Sequence, residues 1–147
     1  MSHIVQYSDP AHRAEVMALW RRELGYAQGH NEPGLVIDRK RALDDGLFFV
    51  ALDDTDALAG TVMAGYDGHR GWLCSLAVRP EHRGAGLGSA LVRHAEAALV
   101  RLGCVKVNLQ VLAGNEAVCA FYEALGYTVE PRVSMGKRVP ENLPPPG

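Results

Sequence analysis

Arg83, Gly86 and Gly88 stand in the order Arg-x-x-Gly-x-Gly at the end of the stretch Leu76–Gly88, LAVRPEHRGAGLG, and their types and spacing point to one kind of chemistry. A strand-like apolar run ends at Arg79-Pro80, a basic glycine-bearing turn follows, and apolar residues then recur at helical spacing at Leu87, Leu91, Ala95, Ala98 and Leu102. Strand, glycine loop and helix start in that order gather free backbone N–H groups, which bind phosphate oxygens at the positive end of the helix dipole. The expected chemistry is anion binding. A nucleoside triphosphate loop needs Gly-Lys-Ser/Thr, and this loop has no lysine. A dinucleotide fingerprint needs G-x-G-x-x-G, whereas Gly84-Ala85-Gly86 is followed by Leu87 and Gly88, and no acid ends the next strand-like run.

The rest of the chain must position that loop. At 147 residues it reads as a single domain over 1–140 with a loose, proline-bearing tail over 141–147, long enough to bury roughly 68–70% of its unfolded surface. Fifteen Lys and Arg against seventeen Asp and Glu give a net charge of −2, so no global basic field argues for nucleic acid. Locally the balance reverses: from Arg79 to Lys106 there are five basic residues and two acidic ones, which suits a small anionic ligand. Cys74, Cys104 and Cys119 lack the paired spacing of metal or redox motifs and read as reduced, mostly buried thiols. With no membrane-length apolar run and no signal-peptide pattern, the expected address is the cytoplasm.

His3–Tyr7 is strand-like, and Ser8-Asp9-Pro10 reads as a helix start with Asp9 as cap, followed by Val16, Leu19, Trp20 and Leu24 on one face and Gly25 at the end. A thinner helix is expected from about Pro33 to Asp44, ending at Gly46. Leu47–Leu52, Leu58–Tyr66 and Trp72–Val78 are apolar runs joined by short polar, glycine-bearing turns, the pattern of antiparallel hairpins. Val105–Val111 alternates as a half-buried strand, Asn115 opens a helix carrying Val118, Phe121, Tyr122 and Leu125, and Tyr127–Glu130 and Val133–Val139 read as two final strands. The helix after the loop is a crossover that makes the strands on either side of it parallel.

The Arg83-x-x-Gly86-x-Gly88 spacing, with Leu76-Ala77-Val78-Arg79-Pro80-Glu81 before it and Ser89-Ala90-Leu91 after it, resembles the pyrophosphate motif of the GCN5-related N-acetyltransferases. Asn115–Tyr127, NEAVCAFYEALGY, is similar to that family's Asn-x-x-Ala and Tyr-x-x-x-Gly-Phe/Tyr segment, so the likeness covers nearly the whole chain. Within the family, Gly60–Gly71, Trp20 and Asn31-Glu32-Pro33 resemble the YpeA-type bacterial acetyltransferases. The resemblance implies a mixed α/β fold: one mostly antiparallel sheet of about six to seven strands, splayed between the fourth and fifth, flanked by about four helices. It implies acetyl-CoA as cofactor and an amine acceptor, on a small molecule, peptide or protein, that attacks the thioester directly in a ternary complex. No nucleic acid, membrane or metal partner is expected, and a homodimer is compatible with the family. An acyl-CoA-binding regulator without turnover is the alternative.

The loop roles follow from residue type. Gly84, Gly86 and Gly88 let the backbone curl around a pyrophosphate, Ala85, Leu87 and Ser89 bring further N–H groups, and Arg83 offers a forked donor. By resemblance, the backbone of Leu76, Ala77 and Val78 bonds the pantetheine arm, and Asn115 bonds its amides or simply caps its helix. Tyr122 is the family's general acid, protonating the departing thiolate, while its helical spacing also suits a core residue. No acid lies on Trp72–Val78, so the candidate bases are Asp67 and His69 in a hairpin, or Glu32 and His30 in the early loop. Imidazole changes charge near neutral pH, but a hairpin Asp-Gly is more often turn chemistry. Trp20, Tyr26, His30, Asn31 and Asn108 are expected on the acceptor side, with core packing favoured for Trp20.

Overall fold

The apolar runs of the first half pair as hairpins, as their polar turns require. In this computed structural model, which describes residues 2–140, β1 (His3–Gln6), β2 (Phe48–Leu52), β3 (Leu58–Tyr66), β4 (Gly71–Val78) and β5 (Val107–Leu109) form one sheet in that order. The first three pairings are antiparallel and β4–β5 is parallel. The turns are drawn by side chains. Asp53 Oδ1 accepts from Thr55 N, Thr55 Oγ1 and Ala57 N at 2.8, 2.7 and 3.0 Å, and Asp67 Oδ1 accepts from His69 N and Arg70 N at 2.8 and 2.7 Å.

Helices cover both faces of the sheet. On one face, α1 (Arg13–Glu23) and α2 (Pro33–Leu43) bury Val16, Leu19, Trp20 and Ile37 against Phe48, Val50, Leu58, Met63 and Ala77. The thin stripe expected of α2 reduces to Pro33 and Ile37. On the other face lies α3 (Leu87–Arg101), the crossover between β4 and β5, with Leu91, Val92, Ala95 and Leu99 buried. Its approach is close enough that a Cβ on Gly71 would stand 2.8 Å from Leu99 Cδ1 and 2.8 Å from Cys104 Sγ. Trp20 has no accessible surface, and Trp20→Ala is expected to lower unfolding free energy by about 3–5 kcal/mol in chemical denaturation.

Three local expectations are corrected. Asp9 does not cap α1, which starts at Arg13 with His12 at the cap position, because Asp9 is engaged by the Tyr7 hydroxyl and Arg13 Nε, both at 2.7 Å. Cys104 is buried, but Cys119 is only half-buried and Cys74 is exposed. The sheet has five strands, fewer than expected, since Tyr127–Glu130 and Val133–Val139 form none among the described residues. Val129, Val133 and Met135 are 78%, 88% and 90% exposed, and a strand without a neighbouring ladder leaves its backbone groups to solvent. The expected tail, 141–147, lies outside the described residues. Among the described residues no helix is long and apolar enough to cross a membrane.

The chain divides into two compact units, the first ending at Gln110 and the second beginning at Val111. Within the second, α4 (Glu116–Glu123) is capped by Asn115 Oδ1, which accepts from Val118 N at 3.3 Å. Tyr122 is buried there, its ring edge-on to Phe121 at 5.0 Å and to Tyr127 at 5.6 Å.

Candidate active site

The glycine loop begins where β4 leaves the sheet. Arg79 N–H donates to Ala59 O at 2.9 Å, a single 3-10 turn follows at Pro80–His82, and Gly84 and Gly86 both adopt φ +81, a left-handed conformation that glycine enters freely. A Cβ built on either glycine would meet no atom within 4 Å, so the space above the loop is open. The first rung of α3 is Ala90 N–H to Gly86 O, at 3.0 Å. The N–H groups of Leu87, Gly88 and Ser89 therefore lie outside the helix ladder, at the positive end of a 15-residue helix. An open cradle of unused donors fits a phosphate oxygen set, and it fits the pyrophosphate expected there.

Two elements hold the loop from its sides. The Arg83 guanidinium pairs with Glu23 at the end of α1. His82 Nε2 lies 3.8 Å from Asp53 Oδ2 across a cleft of about 590 Å³, lined also by Thr55, Ala85, Gly86 and Leu87.

Upstream, β4 is irregular. Thr61 faces Ala77 and Met63 faces Cys74, so two steps along β3 match three along β4, and the extra residue lies beside Ser75, whose φ is +54. A serine there is strained by about 1–2 kcal/mol, which its surroundings must offset. They do so through hydroxyls: Thr61 Oγ1 donates to Ser75 O at 2.9 Å, Trp20 Nε1 donates to Thr61 Oγ1 at 2.9 Å, and the Tyr26 and Ser75 hydroxyls are 3.0 Å apart. Sheet pairing with β5 covers only Gly71–Leu73. Because the Arg79 N–H faces β3, alternation turns the N–H and C=O of Leu76 and Val78 to the opposite edge, where no strand lies beside them among the described residues. Ala77, between them, turns its own backbone groups to β3 and its side chain into the core.

The candidate bases are tied down. Asp67 takes two backbone N–H bonds and lies 3.4 Å from Trp72 Nε1, and Glu32 caps α2 by accepting from Leu35 N at 2.9 Å, with Arg21 at 3.5 Å. The Arg70 N–H bond, first, holds the Asp67 carboxyl below the usual range, and the Leu35 N–H bond does the same for Glu32. Both are therefore weak bases near neutral pH. His69, His30 and Asn31 are exposed, and Asn108 is half-buried on β5. Asp9 is likewise depressed, by the Tyr7 hydroxyl first, and Asp53 by the Thr55 hydroxyl first. A carboxylate with a folded-state pKa below its unfolded value contributes stability above the unfolded value, near 4, and loses it as pH falls through the folded value. Urea midpoints are thus expected to hold from neutral pH down to about 4.5 and to fall steadily below about 4.

Thr61, Ser75 and Glu23 were not among the sequence candidates. The available signal was a lone Ser or Thr inside each of two apolar runs, Leu58–Tyr66 and Trp72–Val78.

The acetyltransferase (GNAT) family model matches residues 13–127, and the chain belongs to that family. Its donor is acetyl-CoA, and the chain is an acyltransferase. Among solved structures it is similar to a putative acetyl transferase from Pyrococcus furiosus, with 27% identity over 95% of this chain and 100% of that one and a TM-score of 0.68. Ard1 from Thermoplasma volcanium shares 20% identity over 88% and 84% of the two chains, with a TM-score of 0.75. Glucosamine-6-phosphate N-acetyltransferase from Arabidopsis thaliana shares 20% over 94% and 98%, with a TM-score of 0.68. At 20% identity the last two show the fold alone.

Proposed function

We propose that the chain transfers an acetyl group from acetyl-CoA to an amine of a small molecule, peptide or protein by direct attack in a ternary complex. The observation that carries this reading is the open donor cradle at Gly84–Ser89 directly after a β4 edge that has no strand partner at Leu76 and Val78 among the described residues. Bound acetyl-CoA supplies an activated acetyl thioester. The N–H groups from Gly84 to Ser89 neutralise its pyrophosphate oxygens with Arg83, and Leu76 and Val78 offer alternating donors and acceptors to an amide-bearing arm. Asn115 is a further donor for those amides, although its Oδ1 also caps α4. Tyr122 Oη holds the proton for the departing sulfur.

With Asp67 and Glu32 engaged in turn and cap, His69 and His30 are the side chains left to accept the amine's proton, directly or through water, while Tyr26, His30, Asn31 and Asn108 remain the acceptor-side candidates. The complete burial of Trp20 supports the core-packing reading for it. The narrower likeness to the YpeA-type branch is part of the same proposal and rests on Gly60–Gly71 and Asn31-Glu32-Pro33. Incubation with acetyl-CoA and a panel of polyamines, aminoglycosides, amino acids and N-terminal peptides, with detection of free CoA thiol, tests it. Thiol release with one acceptor class is expected. Binding of CoA in a calorimetric titration with no release for any amine would return the regulator reading.

A further inference from the structure

We propose that Thr61 and Tyr26 are positioning residues for the donor, which together hold the Ser75 bulge of β4 in the one conformation that presents Leu76 and Val78 to acetyl-CoA. The inference rests on the transferase reading above and extends it to residues outside the cradle. Its basis is the direction of the hydrogen bonds. An indole N–H can only donate, so the Thr61 oxygen accepts from Trp20 at 2.9 Å. A carbonyl oxygen can only accept, so the single Thr61 hydroxyl hydrogen goes to Ser75 O, also at 2.9 Å. The chain of three groups thus has one polarity, and both Thr61 and Ser75 are buried, where an unmade bond is not replaced by water.

Thr61 fixes the carbonyl of Ser75, and Tyr26, from the segment after α1, fixes its hydroxyl at 3.0 Å. Ser75 is one of three non-glycine residues with positive φ among the described residues, and of the other two, both exposed, Asp44 is the C-cap of α2 and Asp56 lies in a hairpin turn, neither within a strand. Without these two holds the strand has no reason to keep a left-handed serine, and a one-residue slip would exchange the outward groups of Leu76 and Val78 for those of Ala77. Glu23, three residues before Tyr26, holds Arg83. The short stretch from Glu23 to Tyr26 therefore touches the donor region at two places, the bulge and the phosphate loop.

The test compares Thr61→Val, Thr61→Ser and Tyr26→Phe by calorimetric titration with CoA and by amide hydrogen exchange, in the CoA-free protein, of Ala77 and Arg79, whose N–H groups face β3. Thr61→Val is expected to weaken CoA binding roughly three- to tenfold and to speed exchange at those amides, Thr61→Ser to restore both, and Tyr26→Phe, which leaves the core intact, to weaken binding roughly threefold. Wild-type affinity in both Thr61→Val and Tyr26→Phe, in a parent that binds CoA, would overturn the positioning role even if melting temperature fell. A parent that binds no CoA would instead overturn the transferase reading on which it rests.

Discussion

Gly86→Ala is expected to weaken CoA binding on the order of a hundredfold while lowering the unfolding free energy of the free protein by only about 1–2 kcal/mol. The two effects separate because they have different causes. The stability loss comes from φ +81, which an L-residue enters reluctantly, and not from a clash, since a Cβ there would touch nothing within 4 Å. The affinity loss comes from that same open space, which the methyl group would take from the phosphate. Losing two charge-assisted bonds of about 1.5 kcal/mol each accounts for the factor. Gly103→Ala is the matched control, with φ +97, open space around its Cβ and a position at the far end of α3. It should show a similar stability loss in urea and unchanged CoA titration. Equal affinity losses in both variants would mean that general loosening of the chain, not occlusion of the cradle, weakens binding.

That loop was legible in the sequence because its information is local: glycines at fixed offsets, a strand before and a helix after, within a single stretch. The hairpins were legible for the same reason, with Asp53 and Asp67 each bonding backbone two to four residues on. What was hidden depends on partners distant in sequence. Thr61 meets Trp20 across 41 residues and Ser75 across 14, and nothing in an apolar run announces that its one Thr directs a bulge. Asp9 had the right type and place for a cap but was taken by Tyr7 and Arg13, a competition that residue preference alone cannot decide. Val133–Val139 has strand-like residues and no neighbour in the described sheet, and alternation is only a capacity to pair. Asp67 and Glu32 were candidates as bases by residue type, and their hydrogen bonds show why type is insufficient: a carboxylate that organises a turn or a helix start is held ionised by the same bonds.

The identity of the acid is the point on which the proposed chemistry is most exposed, and Tyr122→Phe addresses it with little structural disturbance. Phenylalanine keeps the ring that meets Phe121 at 5.0 Å and Tyr127 at 5.6 Å, so α4 and its surroundings should persist and CoA affinity should stay near that of the parent. The expected loss is in kcat, on the order of 10²- to 10⁴-fold, the usual contribution of a positioned proton donor. A thiol of ordinary pKa near 8.5 and a phenol near 10 make proton transfer to the departing sulfur nearly balanced, so the donor gains most when the released thiolate is otherwise unstabilised. Two further readouts sharpen the result. The basic limb of the kcat–pH profile should be altered in the variant, because a group that must be protonated has been removed, and a thioester with a more acidic leaving thiol should recover part of the rate. A variant with unchanged kcat at saturating amine would remove the acid role and leave water to protonate the sulfur. In that case the packing of Tyr122 within its own unit would account for its place in α4.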